Sequence, residues 1–325
     1  MPALPVWLLV LGCGAALGTW LARRYALRGN LLDQPGERRS HSVPTPRGGG
    51  ISIMAVLGLA AAVVGALFPA ERWLWWSFLP GLLIVGGIGW WDDHRPLSPW
   101  LRLMVQAVAA VLLGAGVWSA TGTAWLAGAS VVAALVLVNV WNFMDGINGL
   151  AVTQALLAAL AYAALMPGTG GLPWLAWALC AACVGFLPFN FPRARIFLGD
   201  VGSGVLGYSL AALAVASIAA SPVESAPLAM LPLCAFLVDA GFTLAWRMLR
   251  RERWWTPHVG HVYQRAARRW GHTAVTVIYL VFGSVTLLLS FTLPTRTLGA
   301  TSAVVASIYV VAGVLWALLR RGWRD

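Results

Sequence analysis

The chain has 325 residues, 60% of them hydrophobic and only 10% charged, with a mean hydropathy of +0.78. Soluble domains carry about 25% charged residues, so a pair of soluble domains is excluded. The expected fold class is an all-α, polytopic membrane helical bundle forming one domain over residues 1–325. The net charge of +11 comes from arginine alone, since the sequence has no lysine. These arginines lie in short loops between apolar runs, which fits membrane topology and contacts to anionic lipid or phosphate rather than nucleic acid.

A spanning helix needs about 20 mostly apolar residues. Runs of that kind lie near 4–22, 50–69, 73–91, 101–119, 124–141, 149–166, 173–189, 203–220, 227–246, 273–293 and 298–319, predicting about eleven transmembrane helices. The first has no small-residue cleavage site before Arg23 and reads as a retained helix. One face collects Arg23, Arg24, Arg28, Arg38, Arg39, Arg47, Arg95, Arg102, Arg193, Arg195, the arginines of 247–269, Arg320, Arg321 and Arg324. The other face has only Arg72 and Arg296. The positive-inside rule makes the first face cytoplasmic, with the N-terminus outside and the C-terminus inside. Tryptophans 73, 75, 76, 90, 91 and 100 sit where interfacial anchors belong. Cys180 and Cys183 form C-x-x-C in an apolar run without accompanying ligands, so they read as buried small residues.

The polar loops fall on that one face. In residues 31–50, Gly48, Gly49 and Gly50 follow Arg47 and open the next helix. Their backbone N–H groups could bind phosphate, or the loop could simply rest on headgroups. Asp92 and Asp93 close an apolar run as an adjacent carboxylate pair, suited to a general base, a metal ligand or an ordinary acidic helix end. Ser98 and Pro99 then start a helix. Residues 139–150, NVWNFMDGINGL, place Asn139, Asn142 and Asp145 at spacings of three, one polar stripe between two apolar runs if helical. Gly146 and Gly149 would let a ligand approach the backbone. Asp200, flanked by Gly199, Gly202 and Gly204, could hold a hard cation beside a diphosphate, or mark a plain turn. Residues 247–272 carry seven arginines before Trp270, with His258 and His261 three apart. They suggest a phosphate clamp or a basic amphipathic surface segment. Asp239, inside the ninth run, reads either as a functional carboxylate or as one paired with an arginine such as Arg247.

Taken together, SHSVPTPRGGG, WWDDHRPLSPWLRLMVQ, NVWNFMDGINGLA, RARIFLGDVGSGVLG and PHVGHVYQ resemble, in order, the polyprenyl-phosphate N-acetylhexosamine-1-phosphate transferases, glycosyltransferase family 4. The resemblance covers about residues 31–272. It implies transfer of a sugar 1-phosphate from a UDP-N-acetylated sugar to undecaprenyl phosphate in the bacterial inner membrane. UMP is released, and Mg²⁺ assists, with Mn²⁺ as a substitute. It implies that Asp92 and Asp93 activate the lipid phosphate. Asn142 and Asp200 would serve the metal, and Asp145 the nucleotide-sugar site. Gly146, Ile147, Asn148 and Phe197 would form a uracil pocket, and His258 and His261 would contact diphosphate or sugar. Arg47 and Arg251 complete the substrate-binding set, and a homodimer is one arrangement consistent with the family. HVGHVYQ departs from the triple-histidine and PDxxHLHH versions. It is similar to the branch that uses 6-deoxy N-acetylated sugars such as FucNAc or QuiNAc for O-antigen. Two mechanisms stay open: direct phosphoryl transfer, or a phosphorylated aspartate. The competing functional class is a transporter or flippase, although such proteins concentrate polar groups near the midplane, often in paired repeats.

Overall fold

The computed structural model describes residues 2–34, 43–166, 168, 170–253, 256, 258–294 and 297–322. Residues 40–42 of the first motif, Pro257 of the last, and Arg38, Arg39, Arg296 and Arg324 of the charge asymmetry lie outside the described residues.

The chain is a polytopic helical membrane protein. Its helices are α1 (Leu4–Arg28), α2 (Ile51–Leu67), α3 (Leu79–His94), α4 (Pro99–Thr121), α5 (Ala124–Met144), α6 (Leu150–Leu165), α7 (Leu172–Asn190), α8 (Gly199–Ala220), α9 (Cys234–Leu249), α10 (Val262–Trp270), α11 (His272–Thr292) and α12 (Leu298–Gly322). Among the described residues, nine spans are long and apolar enough to cross a membrane, with α3 and α9 extended backwards to Pro69 and Ala226. The two shorter apolar helices, α2 and α6, complete the eleven runs read from the sequence. α10 is a short amphipathic helix with Val262, Tyr263, Ala266 and Ala267 buried and Arg268 and Arg269 in its last turn.

Local signals act as written. The Ser98 hydroxyl accepts the Leu101 N–H at 3.2 Å, Pro99 occupies the first turn, and Gly122 ends α4 in the left-handed region at φ +65°. Trp75, Trp76, Trp90, Trp91 and Trp100 are exposed as anchors should be. Trp73 is buried instead, its indole N–H donating to Glu71 at 3.1 Å.

α8 is the centre. It is buried along most of its length and packs on α5, α3 and α6, while α1 lies on α7 and α4 on α5. Small residues permit these approaches. A Cβ on Gly89 would collide with the backbone of Asp200 and Val201. That contact brings α3 close enough for Asp93, one turn further on, to reach the first turn of α8. Two short antiparallel strands, β1 (Leu32–Asp33) and β2 (Thr45–Pro46), pair Leu32 with Pro46 and Asp33 with Thr45. They hold the first loop over the same end of the bundle, where α3, α5 and α7 finish and α4 and α8 begin.

Candidate active site

Four carboxylates gather at that end. Asp93, 2% exposed, accepts the backbone N–H of Asp200 at 3.1 Å and of Val201 at 3.3 Å. It caps α8, where the helix dipole favours a negative charge. Asp92 accepts the Leu97 N–H at 2.6 Å and the Arg102 guanidinium at 2.7 Å. Arg102 reaches across to Asp200 at 3.1 Å, so one cation from α4 bridges two carboxylates. The other Asp200 oxygen faces the Asn142 amide at 2.8 Å, and Asn142 also lies 3.3 Å from the Ser203 hydroxyl. α5 ends at Met144, so the polar stripe is helical through Asn139 and Asn142 while Asp145 turns off the end at ψ 52°. Burial pushes the Asp145 carboxyl well above its ordinary range, and the nearby Asp200 and Asp93 carboxylates add to it.

Two cavities meet here. A polar cleft of about 340 Å³ is lined by Asp33, Arg47, Asp145, Ile147, Phe197 and Arg268, among others. A groove of about 600 Å³, mostly apolar, runs between α4, α5 and α9 past Leu103, Val136, Leu237 and Leu244. Asp145, Gly146 and Gln264 line both. Arg102 and Asn142 stand at the polar end of the groove, and Asp93 and Asp200 at the floor of the cleft.

The last loop closes the groove. His258 and His261 stack with ring centroids 4.9 Å apart, and both line it. They are not cations near neutrality. Burial, followed by the charges of His261, Arg247 and Arg320, pulls His258 down to about 4. Burial also lowers His261, outweighing the Asp239 carboxylate. The expected phosphate clamp is therefore a pair of neutral imidazoles, able to donate and accept hydrogen bonds. A stability consequence follows from the sign. Between about pH 6.5 and 4 the unfolded chain protonates this histidine and the folded one does not, so the folded state loses stability as pH falls. The melting temperature of His258→Gln should drop less than that of wild type between pH 7 and pH 4.5. Parallel thermal-shift curves would contradict this.

Other placements differ from the sequence reading. The amides of Gly49 and Gly50 donate to Phe197 and Leu198 carbonyls at 3.0 and 2.8 Å, so these two amides of the glycine run build the cleft wall and do not offer themselves to phosphate. Gly202 packs against Gly50, and Gly204 against Val85, so α8's glycines serve helix contact. Gly146 lies under the Tyr263 hydroxyl. Asn148 donates to the Pro192 carbonyl at 3.1 Å and lies outside the cleft lining, because the turn at Gly149 (φ +75°) faces it toward the 191–192 segment. Arg251 is exposed in the left-handed region at φ +57°, just beyond α9, and lines neither cavity. Asp239 does not pair with Arg247, which instead meets Glu252 at 3.2 Å. Asp239 accepts the amides of Val262 and Tyr263, since its position in α9 faces the start of α10. Cys180, Cys183 and Cys234 are buried free thiols.

Arg102, Gln264 and Arg268 were not singled out as site residues from the sequence. Arg102 carried a usable signal: a lone cation in the second turn of a helix that follows a carboxylate pair.

Residues 75–218 match the family described as glycosyl transferase family 4. The chain is 35% identical over 240 residues to a decaprenyl-phosphate N-acetylglucosaminephosphotransferase of Mycobacterium tuberculosis (strain CDC 1551 / Oshkosh), covering 63% of this chain and 59% of that relative. It is 28% identical over 280 residues to a probable undecaprenyl-phosphate N-acetylglucosaminyl 1-phosphate transferase of Bacillus subtilis (strain 168), covering 81% and 77%. It is 31% identical over 248 residues to a phospho-N-acetylmuramoyl-pentapeptide-transferase of Picosynechococcus, covering 64% of each. The match to the mycobacterial relative thus spans less than two thirds of that protein's length.

Proposed function

We propose that this chain, whose residues 75–218 match glycosyl transferase family 4, is a member of that family and moves a sugar 1-phosphate from a UDP-N-acetylated sugar to undecaprenyl phosphate at the cytoplasmic face of a bacterial inner membrane. The observation that carries this reading is the junction of a polar cleft with an apolar groove at Asp145, Gly146 and Gln264, beside the Asp200–Arg102 pair. A water-soluble donor suits the cleft. A prenyl chain suits the groove, which delivers its phosphate to Arg102. A transporter reading fits less well, because the polar groups crowd one end of the bundle.

The donor set at this end of the bundle suits a hard divalent cation. Asp92, Asp93, Asp145 and Asp200 are close together, with Arg102, Arg47 and Arg268 among the described cations that border them, and the donors at Asp200, Asn142 and Ser203 can all present oxygen. Mg²⁺ is commonly held by one or two protein carboxylates plus substrate phosphates, and Asp200 with Asn142 would hold it. When bound, it would neutralise charge on the diphosphate.

The chain's own groups then divide the work. Phe197 and Ile147 offer apolar surface to the base, and Arg47 offers a buried Nε with no partner among the described residues. Arg102 orients the lipid phosphate. A lipid phosphate oxygen attacks the β-phosphorus, the new P–O bond forms, and the bond to the bridging oxygen breaks, releasing UMP. A phosphate monoester loses its second proton near pH 6, and Asp145, with its raised proton affinity, takes that proton. Asp93 has both oxygens on backbone amides and Asp92 is held by Arg102 and Leu97, which favours direct displacement over a phosphorylated aspartate.

The HVGHVYQ loop supports a 6-deoxy donor such as UDP-FucNAc or UDP-QuiNAc and an O-antigen product. UDP-GlcNAc is the second reading, since N-acetylglucosamine stands in the names of two relatives. Purified protein, Mg²⁺, undecaprenyl phosphate and a panel of radiolabelled UDP-sugars test both. Lipid-linked product with stoichiometric UMP is expected, fastest with a 6-deoxy donor. No product from any UDP-sugar would refute the reading, and a UDP-GlcNAc preference would reassign the donor.

A further inference from the structure

We propose that Asp239, inside α9 and lining the catalytic junction nowhere, is the positioning residue that fixes both the last loop and the Asp145 turn. The functional half of this inference rests on the transferase reading above. Asp239 is 2% exposed. Its carboxylate accepts the backbone N–H of Val262 and of Tyr263, each at 2.9 Å, which are the first two amides of α10. The Tyr279 hydroxyl of α11 donates to it at 2.8 Å, and the Thr243 hydroxyl one turn along α9 at 3.3 Å. A carboxylate taken out of water needs such donors, and a helix N-terminus supplies them with a favourable dipole.

The cap propagates in two directions. His261 is the residue immediately before α10, 3% exposed, with its Nδ1 3.9 Å from Asp239 and without a hydrogen bond among the described residues. Fixing Val262 and Tyr263 therefore fixes where His261 enters the groove. Tyr263, fully buried, donates its hydroxyl to the Phe143 carbonyl at 2.9 Å and abuts Gly146. These two residues flank Asp145, so the same cap holds the turn on which Asp145 sits. The device matches the one at α8, where Asp93 from α3 caps the helix that carries Asp200. In each case a carboxylate from a membrane helix docks a second helix by its N-terminus, and the second helix brings its own first-turn or capping residue to the junction.

Asp239→Asn keeps the size but replaces one acceptor oxygen with an N–H donor, so one buried amide of α10 faces a donor and loses its partner. Misplacement of a reacting constellation by about 1 Å costs on the order of 100-fold. The expected fall in kcat is about that size. Hydrogen exchange on the full-length protein in lipid nanodiscs should show faster exchange confined to 261–270 and 143–147, with α8 unchanged. In a cycle with His261→Ala, the double variant should sit within about tenfold of His261→Ala alone, because the two changes act through one element. Exchange in 261–270 equal to wild type would overturn the proposal. So would a rise spread equally over α8 with losses that multiply, which marks general destabilisation. If Asp239→Asn does not fold, Tyr263→Phe carries the same test. It removes the hydroxyl that binds Phe143 and abuts Gly146 and should loosen 143–147, and an unchanged exchange pattern there would likewise overturn the coupling. A wild-type protein that makes no lipid-linked product refutes the transferase reading, while the exchange result still decides the positioning role.

Discussion

Asp200→Asn should reduce turnover by about a thousandfold or more, with the melting temperature within a few degrees of wild type. The size follows from what the carboxylate does. Preorganised electrostatic groups aimed at developing charge are each worth roughly 10²–10³ in rate, and Asp200 serves two of them. It is the anionic partner of Arg102 at 3.1 Å, and with Asn142 it forms the oxygen set proposed for Mg²⁺. The small stability effect follows from the crowding. Asn keeps an oxygen that can face the Asn142 amide, and Arg102 keeps Asp92 at 2.7 Å. Removing one charge also relieves the repulsion that Asp200 adds at Asp145, whose proton affinity should fall toward the ordinary range. Initial rates across a Mg²⁺ titration, beside circular-dichroism melts in the same detergent, check this. Turnover within tenfold of wild type at saturating Mg²⁺ would remove Asp200 from the metal site.

Much of this was legible in the sequence, for identifiable reasons. Spanning helices announce themselves by length and apolarity, so all eleven runs coincide with helices. Polar residues between them are costly in a bilayer, so Asp92, Asp93, Asn142, Asp145 and Asp200 stood out, and the fold brings all five to one end. What stayed hidden depends on which backbone each side chain meets across the bundle. Nothing along the chain marks Asp93 and Asp239 as helix caps, yet they bind the first-turn amides of helices that begin 106 and 23 residues later. His258 and His261 look cationic until burial is known. Asn148 and Arg251 carry suitable chemistry but are turned aside by local backbone at Gly149 and at the end of α9.

The glycine run after Arg47 is the sharpest case, and it yields the second large effect. Gly50→Ala should destabilise the protein by 3 kcal/mol or more, on the order of the upper end of overpacking costs, and should lower activity in what remains folded. Gly50 sits at φ −64° and ψ −10°, a conformation every residue adopts, so conformational freedom is not why glycine is there. The reason is contact. A Cβ at this position would overlap the backbone Cα of Gly202, where α2 crosses α8, and backbone cannot rotate away as a side chain can. The Gly49 and Gly50 amides meanwhile hold the Phe197 and Leu198 carbonyls. Pushing α2 off α8 therefore drags Phe197 out of the cleft wall and moves Gly199, whose φ of +77° leaves it little freedom to adjust. Gly87 is the control, because a Cβ there meets nothing within 4 Å and Gly87→Ala should behave as wild type. Thermal melts and UMP release for the pair decide the point. If Gly50→Ala melts with Gly87→Ala, α2 and α8 are not in backbone contact, and the cleft must be walled by something other than this crossing.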